Sequence, residues 1–355
     1  MRWAPTPPST LHVGPVGVAL IVATMTALGA CTADRPPATP SSVLTSSFAP
    51  ATTPSATSSA DPTSPFAVGS TTLRTIAAAK EPDPQLTVGR QIAANETYIS
   101  HAAMYTSDGL TISAVLHEPV ASGPHPGVVV VHGFVDPASY VTGGELPREQ
   151  DALARAGYVV LFTDLRGLAG SDPAPSGAPD LDMGSTEDVV NGVRALAGSH
   201  LPGLDPERIG LLGHSLGGLL VLRVLVAMPG LVDAVVAFAP SSTDPFENVE
   251  RYLAPGDPVY QAVIAAHGTP ATNPRYWADI SPRTFVGDVT DPLLIVHGDA
   301  DGDSPYSWSV ATVAAWKQAG KDVRLVTLKG EDHVFQARWG DAIDAVKSFL
   351  AENLR

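Results

Sequence analysis

Gly213-His214-Ser215-Leu216-Gly217 follows the apolar run Ile209-Gly210-Leu211-Leu212 and runs straight into Gly218-Leu219-Leu220-Val221-Leu222. Strand, sharp turn and helix is the context in which Gly-x-Ser-x-Gly forms a nucleophile elbow. The turn lifts the serine oxygen above the end of the sheet, and it closes only if the residues two before and two after the serine are small. Gly213 and Gly217 meet that demand. A Gly-Ser-Gly pattern alone is frequent in glycine-rich loops; the apolar flanks on both sides make this one an elbow. An elbow in turn requires a base, and an acid to orient it, further along the chain.

The 355 residues are 44% hydrophobic and 16% charged, enough for one large or two modest domains with a sizeable core. Asp and Glu outnumber Lys and Arg by 36 to 21, a net charge of -15. That balance argues against nucleic acid as a partner and against binding anionic membrane through a basic surface. The single cysteine, Cys31, excludes an intrachain disulfide and a zinc site built from paired cysteines.

Cys31 ends a different pattern. Arg2 is followed by an uncharged stretch, mostly apolar from Val13 to Leu28, and then by Leu28-Gly29-Ala30-Cys31. The apolar run is short for a membrane span, and Gly14, Pro15 and Gly17 interrupt its start, as suits a signal-peptide core. Leu-Gly-Ala-Cys resembles a bacterial lipobox. That resemblance implies a lipoprotein signal peptide at 1–30, lipid attachment at Cys31, and export to the cell envelope with the catalytic domain outside the cytoplasm. An ordinary secretory signal or an uncleaved anchor is the alternative. Residues 31–70 are dominated by Ser, Thr, Ala and Pro and bury too little to offset their ordering entropy. They are expected to form a disordered tether reaching on the order of 35 Å from the membrane.

From residue 71 the composition is globular, with no internal repeat. Residues 102–107 and 110–117 flank Ser107-Asp108-Gly109 and read as a β-hairpin. Six further strand-like runs follow at Gly127–Val131, Tyr158–Thr163, Arg208–Leu212, Ala234–Phe238, Pro292–Val296 and Val323–Leu328. Most are unbroken Val/Leu/Ile runs, as strands buried on both faces should be. Helical patterns lie among them at Glu145–Ala156, Ser185–Gly198, Leu216–Met228, Ser307–Ala319 and Asp341–Leu350. The alternation predicts an α/β fold, a mostly parallel eight-stranded sheet with helices on both faces. One interval breaks the rhythm: residues 241–290 are too long for a simple crossover and carry Phe246, Tyr252, Tyr260, Tyr276 and Trp277. This is the expected cap insertion over the site.

A serine hydroxyl is a poor nucleophile at neutral pH, and elbow folds supply the acid and base in the order Ser, Asp or Glu, His at the ends of late strands. After Val296 the chain reads His297-Gly298-Asp299-Ala300-Asp301-Gly302-Asp303; after Leu328 it reads Lys329-Gly330-Glu331-Asp332-His333. Both loops fall at the carboxyl ends of their strands, where open α/β sheets carry their sites. Asp299, Asp301 and Asp303 compete for the acid. Their alternation suggests a calcium loop, but the sixth and twelfth positions are Ser304 and Val310 instead of glycine and glutamate, so no metal is expected, and no cofactor. His333 is the expected base, the other histidines lying in the signal, in scattered positions, beside the nucleophile or at strand ends. Upstream, Val128-Val129-Val130-Val131-His132-Gly133-Phe134 runs from a buried strand into a turn. Backbone amides of Phe134 and Leu216 are the expected oxyanion donors.

Taken together, Tyr105-Thr106-Ser107-Asp108-Gly109-Leu110, His132-Gly133-Phe134, Asp164-Leu165-Arg166-Gly167, Asp205-Pro206-Glu207-Arg208-Ile209, Ser281-Pro282 and His297-Gly298-Asp299-Ala300-Asp301 resemble an α/β-hydrolase of the prolyl-oligopeptidase type. The resemblance covers roughly residues 98–355. It implies a serine hydrolase and, since related hydrolases carry the acid four residues after the histidine of the His-Gly pair, a triad of Ser215, Asp301 and His333. Prolyl oligopeptidases place a β-propeller before this domain, and the about 30 globular residues ahead of the hairpin are too few for one. Dienelactone hydrolases use a cysteine nucleophile, which Cys31 cannot supply. The expected activity is therefore cleavage of a small-molecule carboxylic ester through an acyl-enzyme. Short-peptide cleavage, cell-envelope acyl transfer and a non-catalytic envelope lipoprotein are the alternatives.

Overall fold

The computed structural model describes residues 70–79, 83–174, 177 and 179–355. The expected signal peptide, Cys31 and, apart from Ser70, the expected tether lie outside the described residues.

A short helix α1 (Leu73–Ala78) precedes three antiparallel strands, β1 (Leu86–Ala94), β2 (Tyr98–Ser107) and β3 (Leu110–Pro119). Strands and helices then alternate as β4 (His125–Val131), α2 (Pro147–Arg155), β5 (Val159–Thr163), α3 (Met183–Ala197), β6 (Leu204–His214), α4 (Leu216–Ala227) and β7 (Ala234–Phe238). Four helices fill the long interval: α5 (Pro245–Tyr252), α6 (Pro258–His267), α7 (Pro274–Asp279) and α8 (Pro282–Phe285). The chain closes with β8 (Leu293–Gly298), α9 (Tyr306–Gln318), β9 (Val323–Leu328) and α10 (Trp339–Asn353).

All strands join one nine-stranded sheet in the order β1-β2-β3-β5-β4-β6-β7-β8-β9. Pairing is antiparallel from β1 to β5 and parallel from there to β9. The inner parallel strands are apolar over their buried stretches because both faces are covered there, whereas the edge strand β9 is partly exposed. In β4, Val129 and Val131 join the layer under α3, α4 and α9, whereas Val128 and Val130 join the layer under α2 and α10. Alternate side chains of a strand point to opposite faces, so one run of four valines serves two cores.

The α/β class and the mostly parallel sheet agree with the sequence, and the five expected helices fall on α2, α3, α4, α9 and α10. The strand count does not: the sheet has nine strands, not eight. The additional strand, β1, is exposed along nearly its whole length. It pairs with β2 through irregular register and buries no face, so it leaves no alternation of apolar and polar residues to read.

The interval at 241–290 is built on repeated start signals. Asp244-Pro245, Asp257-Pro258 and Asn273-Pro274 each place a capping side chain before a proline at the first helical position. Asp244 accepts from the Phe246 amide at 3.0 Å and Asp257 from the Val259 amide at 2.7 Å. An aromatic cluster fastens the helices to one another: Phe246 meets Trp277 edge-on with centroids 4.9 Å apart, and His267 stacks on Tyr276 at 4.0 Å. Tyr252 and Val249 of α5 and Val263 of α6 line the cavity that also holds Ser215 and His333, so the insertion covers the carboxyl end of the sheet.

Candidate active site

Ser215 joins β6 to α4 with φ 58° and ψ −119°, a left-handed backbone that a residue with a side chain rarely adopts. Steric closure around it explains the glycines. A Cβ on Gly213 would lie 2.1 Å from the Gly217 carbonyl oxygen, and one on Gly217 would lie 2.4 Å from the carbonyl oxygens of Val131 and His132. The strained residue is pinned on both sides. Its amide donates to the Phe238 carbonyl at 2.9 Å, and its carbonyl accepts from the amides of Ser241 at 3.0 Å and Leu219 at 3.2 Å. Strain of this kind, about 1–3 kcal/mol, persists only where the surroundings over-determine it.

The turn after β4 packs directly on the serine, since a Cβ on Gly133 would sit 2.9 Å from Ser215 Cβ. His132 is buried beneath it and bonds the Asp164 carbonyl through Nε2 at 3.1 Å. Phe134 follows with its ring 82% exposed at the mouth of the cavity. Leu216 is the first residue of α4, and an amide at that position has no acceptor within its own helix. The two backbone donors expected for an oxyanion thus lie on segments that border Ser215.

The structure brings His333 and Asp301 together. His333 Nδ1 lies 2.7 Å from Asp301 Oδ2, whose side chain is fully buried. A carboxylate can only accept, so Nδ1 carries the hydrogen and Nε2 is left as the basic nitrogen. The other carboxylate oxygen, Oδ1, accepts from the amides of Asp303 at 2.8 Å and Ser304 at 2.9 Å. Burial by itself would raise the pKa of this carboxyl, but the hydrogen bonds from His297 and His333 override it. Asp301 therefore stays ionised well below the usual carboxylate range. Asp299 does different work: its Oδ1 accepts from the Gly330 amide at 2.6 Å and ties the two loops together. Asp303 lies on the cavity wall.

Two histidines have contacts that sequence reasoning missed. The sequence reads His297 as a packed residue at a strand end. In the structure its Nε2 lies 3.0 Å from Asp301 Oδ2, the same oxygen that His333 uses, while its Nδ1 meets Ser309 Oγ at 2.7 Å. The spacing of His297 and Asp301 was visible, but only the fold shows that one oxygen serves two imidazoles. His214, beside the nucleophile, turns toward the base. Its Nε2 bonds the His333 carbonyl at 3.0 Å, with ring centroids 4.7 Å apart. Burial, reinforced by His333, lowers its pKa to about 4, so it is neutral at physiological pH and donates to that carbonyl.

Asp301, Asp303 and His333 also present potential metal ligands within 4.8 Å of one another. They make a poor donor set, because Asp301 is already saturated by four hydrogen bonds and His333 Nδ1 carries a proton. Ser215, His333, Phe134 and Leu216 line a cavity of about 690 Å³. A hydroxyl in a strained turn, an imidazole oriented by an ionised carboxylate and two unspent amides can together carry acyl transfer through a covalent intermediate.

Residues 145–355 match the family described as the prolyl oligopeptidase family. Among curated proteins, the uncharacterized peptidase YtmA of Bacillus subtilis (strain 168) is 25% identical over 239 residues, covering 66% of this chain and 88% of the relative. Among solved structures, an acylaminoacyl peptidase in complex with Z-Gly-Gly-Phe-chloromethyl ketone superimposes with a TM-score of 0.60 at 21% identity, over 73% of this chain and 42% of that one. Est1E from Butyrivibrio proteoclasticus with ferulic acid bound gives a TM-score of 0.55 at 24% identity, over 70% of this chain and 98% of that one. The described chain thus spans most of an esterase-sized structure but less than half of the acylaminoacyl peptidase. At these identities the solved structures speak to the fold alone.

Proposed function

The chain belongs to the prolyl oligopeptidase family and is a serine hydrolase, and from that premise we propose that it cleaves carboxylic esters with Ser215, His333 and Asp301 as its triad. The observation that carries the reading is the 2.7 Å contact of His333 Nδ1 with Asp301 Oδ2 in the cavity that the strained Ser215 enters. Ser215 Oγ attacks the ester carbonyl while His333 Nε2 takes its proton. The tetrahedral oxyanion rests on the amides of Phe134 and Leu216, and the protonated imidazole returns its proton to the departing alcohol. Water then repeats the sequence on the acyl-enzyme. Asp301 stays ionised throughout and stabilises the imidazolium.

An ester preference is supported by the cap. The apolar wall facing Ser215 comes from the chain's own residues 241–290, and no β-propeller forms among the described residues. Peptide cleavage is the second reading, favoured by the name of the Bacillus subtilis relative. For the location of the enzyme, Leu28-Gly29-Ala30-Cys31 supports an exported lipoprotein held through Cys31. One fractionation tests activity and location together, using a bacterial host that processes lipoproteins. Hydrolysis of p-nitrophenyl esters should sediment with membranes and exceed that of aminoacyl nitroanilides. Cys31→Ala should release it to the soluble fraction, and Ser215→Ala should lower it about a millionfold in both. Anilide turnover above ester turnover would overturn the ester reading, and membrane retention of the Cys31→Ala protein would overturn the anchor.

A further inference from the structure

The cap reaches the catalytic acid as well as the cavity. Helix α5 is fixed at its start by the Asp244 cap and Pro245, which sets the faces that its last turns present. Val249, Tyr252 and Leu253, three to four residues apart, line the cavity. Arg251 lies off that face in the last helical turn, where a cation suits the carbonyl end of a helix. It meets the loop that carries Asp301: its Nη2 donates to the Gly302 carbonyl, and its Nε donates to the Asp303 carbonyl at 3.2 Å. Among the described residues Arg251 forms no ion pair, so its charge is spent on these two carbonyls.

The same two peptide groups hold the acid. A trans peptide unit points its C=O and its N–H in opposite directions. In the unit that joins Gly302 to Asp303, the N–H donates to Asp301 Oδ1 at 2.8 Å while the C=O accepts from Arg251. In the unit that joins Asp303 to Ser304, the N–H donates to the same oxygen at 2.9 Å while the C=O again accepts from Arg251. Each peptide plane therefore stands between a guanidinium and a carboxylate. A cation on the carbonyl side draws electron density toward the oxygen and makes the N–H a stronger donor to the anion on the other side. Gly302 and Asp303 are exposed, and Gly302 has open space around it, so hydrogen bonds and not packing hold the apex of this turn. Tyr252 adds a second link from the cap, its hydroxyl 3.1 Å from Ser304 Oγ.

We propose that Arg251 is a positioning residue for the reaction. Through the Gly302 and Asp303 peptide groups it fixes and polarises the two amides that hold Asp301, and Asp301 in turn orients His333. This role rests on Asp301 serving His333 as its acid, as proposed above. Because α5 also walls the cavity, the cap contributes to the alignment of the triad and not only to the shape of the site.

The test compares full-chain Arg251→Met, which keeps the stem and removes the donors, with Arg251→Lys, which keeps the charge but not the fork that spans both carbonyls. Circular dichroism confirms folding. The rate at which a fluorophosphonate labels Ser215 should fall about tenfold in Arg251→Met, the size expected when hydrogen bonds to a charged group are lost. Arg251→Lys should restore part of it, to within about threefold of the unsubstituted rate. In an Asp301→Ala background, Arg251→Met should change the rate by less than about twofold, because the two residues act as a unit. A labelling rate that Arg251→Met leaves unchanged would overturn the role. So would a further tenfold fall in the Asp301→Ala background, the mark of a general structural effect. A second readout needs no nucleophile: in the Ser215→Ala protein, the proton resonance of His333 Nδ1–H reports its hydrogen bond to Asp301 and should move upfield when Arg251→Met is added. If the unsubstituted protein is not labelled at all, the nucleophile assignment fails and this resonance decides alone. Its displacement would uphold the positioning role, and an unmoved resonance would overturn it.

Discussion

Two imidazoles converge on Asp301 Oδ2, His333 at 2.7 Å and His297 at 3.0 Å, and two amides hold Oδ1. A carboxylate fixed by four donors cannot rotate away from the base, and it cannot take a proton from it near neutral pH. His214 supports the same base from behind through the His333 carbonyl. Its titration gives a measurable consequence. Its ordinary pKa of 6.5 falls to about 4 in the folded protein. Between those values the unfolded chain binds more protons at this position than the folded one, so stability falls as the pH drops from 6.5 toward 4. Thermal melts at about pH 7 and about pH 4.5 should show a larger drop in Tm for the unsubstituted protein than for His214→Gln. Equal drops would contradict the neutral, donating role. At this scale the sequence was informative for Ser215 and His333, whose loops are marked by glycines and strand ends. It did not show the contacts of His214 and His297, with the His333 carbonyl 119 residues away and the Asp301 carboxylate 4 residues away, which only the fold brings together.

The parallel strands could be read because burial on both faces leaves unbroken apolar runs; the cap was expected only from the length and aromatics of residues 241–290, and its helices, which start at Asp-Pro and Asn-Pro, were not placed. Strand β1 could not be read either, since it buries almost nothing. Nor could the sequence show which glycine at the end of β8 matters. A Cβ on Gly298 would lie 2.2 Å from the Glu331 carbonyl oxygen and 2.6 Å from that of Asp332, so the loop that ends at His333 must move to accept it. Gly302, four residues on, has open space around it. Gly298→Ala should therefore lower kcat by about 100-fold, the loss expected for a misplacement of roughly 1 Å in a reacting group. Gly302→Ala should leave kcat within about twofold. Ester kinetics with circular dichroism to confirm folding would check this, and similar kcat values for the two variants would refute the packing argument.

For the whole molecule, the sheet brings together groups that are remote in sequence. The elbow after β6, the turn after β4 and the loops after β8 and β9 meet at one end, and residues 241–290 roof them. The architecture was legible from the alternation of apolar runs and helical patterns. The shape of the cavity was not, because its lining comes from α4, the cap and the segment before α3 and carries no motif. The central claim is that this assembly makes Ser215 nucleophilic, and its most direct measurement is intact-mass spectrometry after exposure to a fluorophosphonate. The folded protein should gain a single adduct, located on Ser215 by peptide mapping, and Ser215→Ala should gain none. A folded protein that stays unmodified, or an adduct on another residue, would contradict the account.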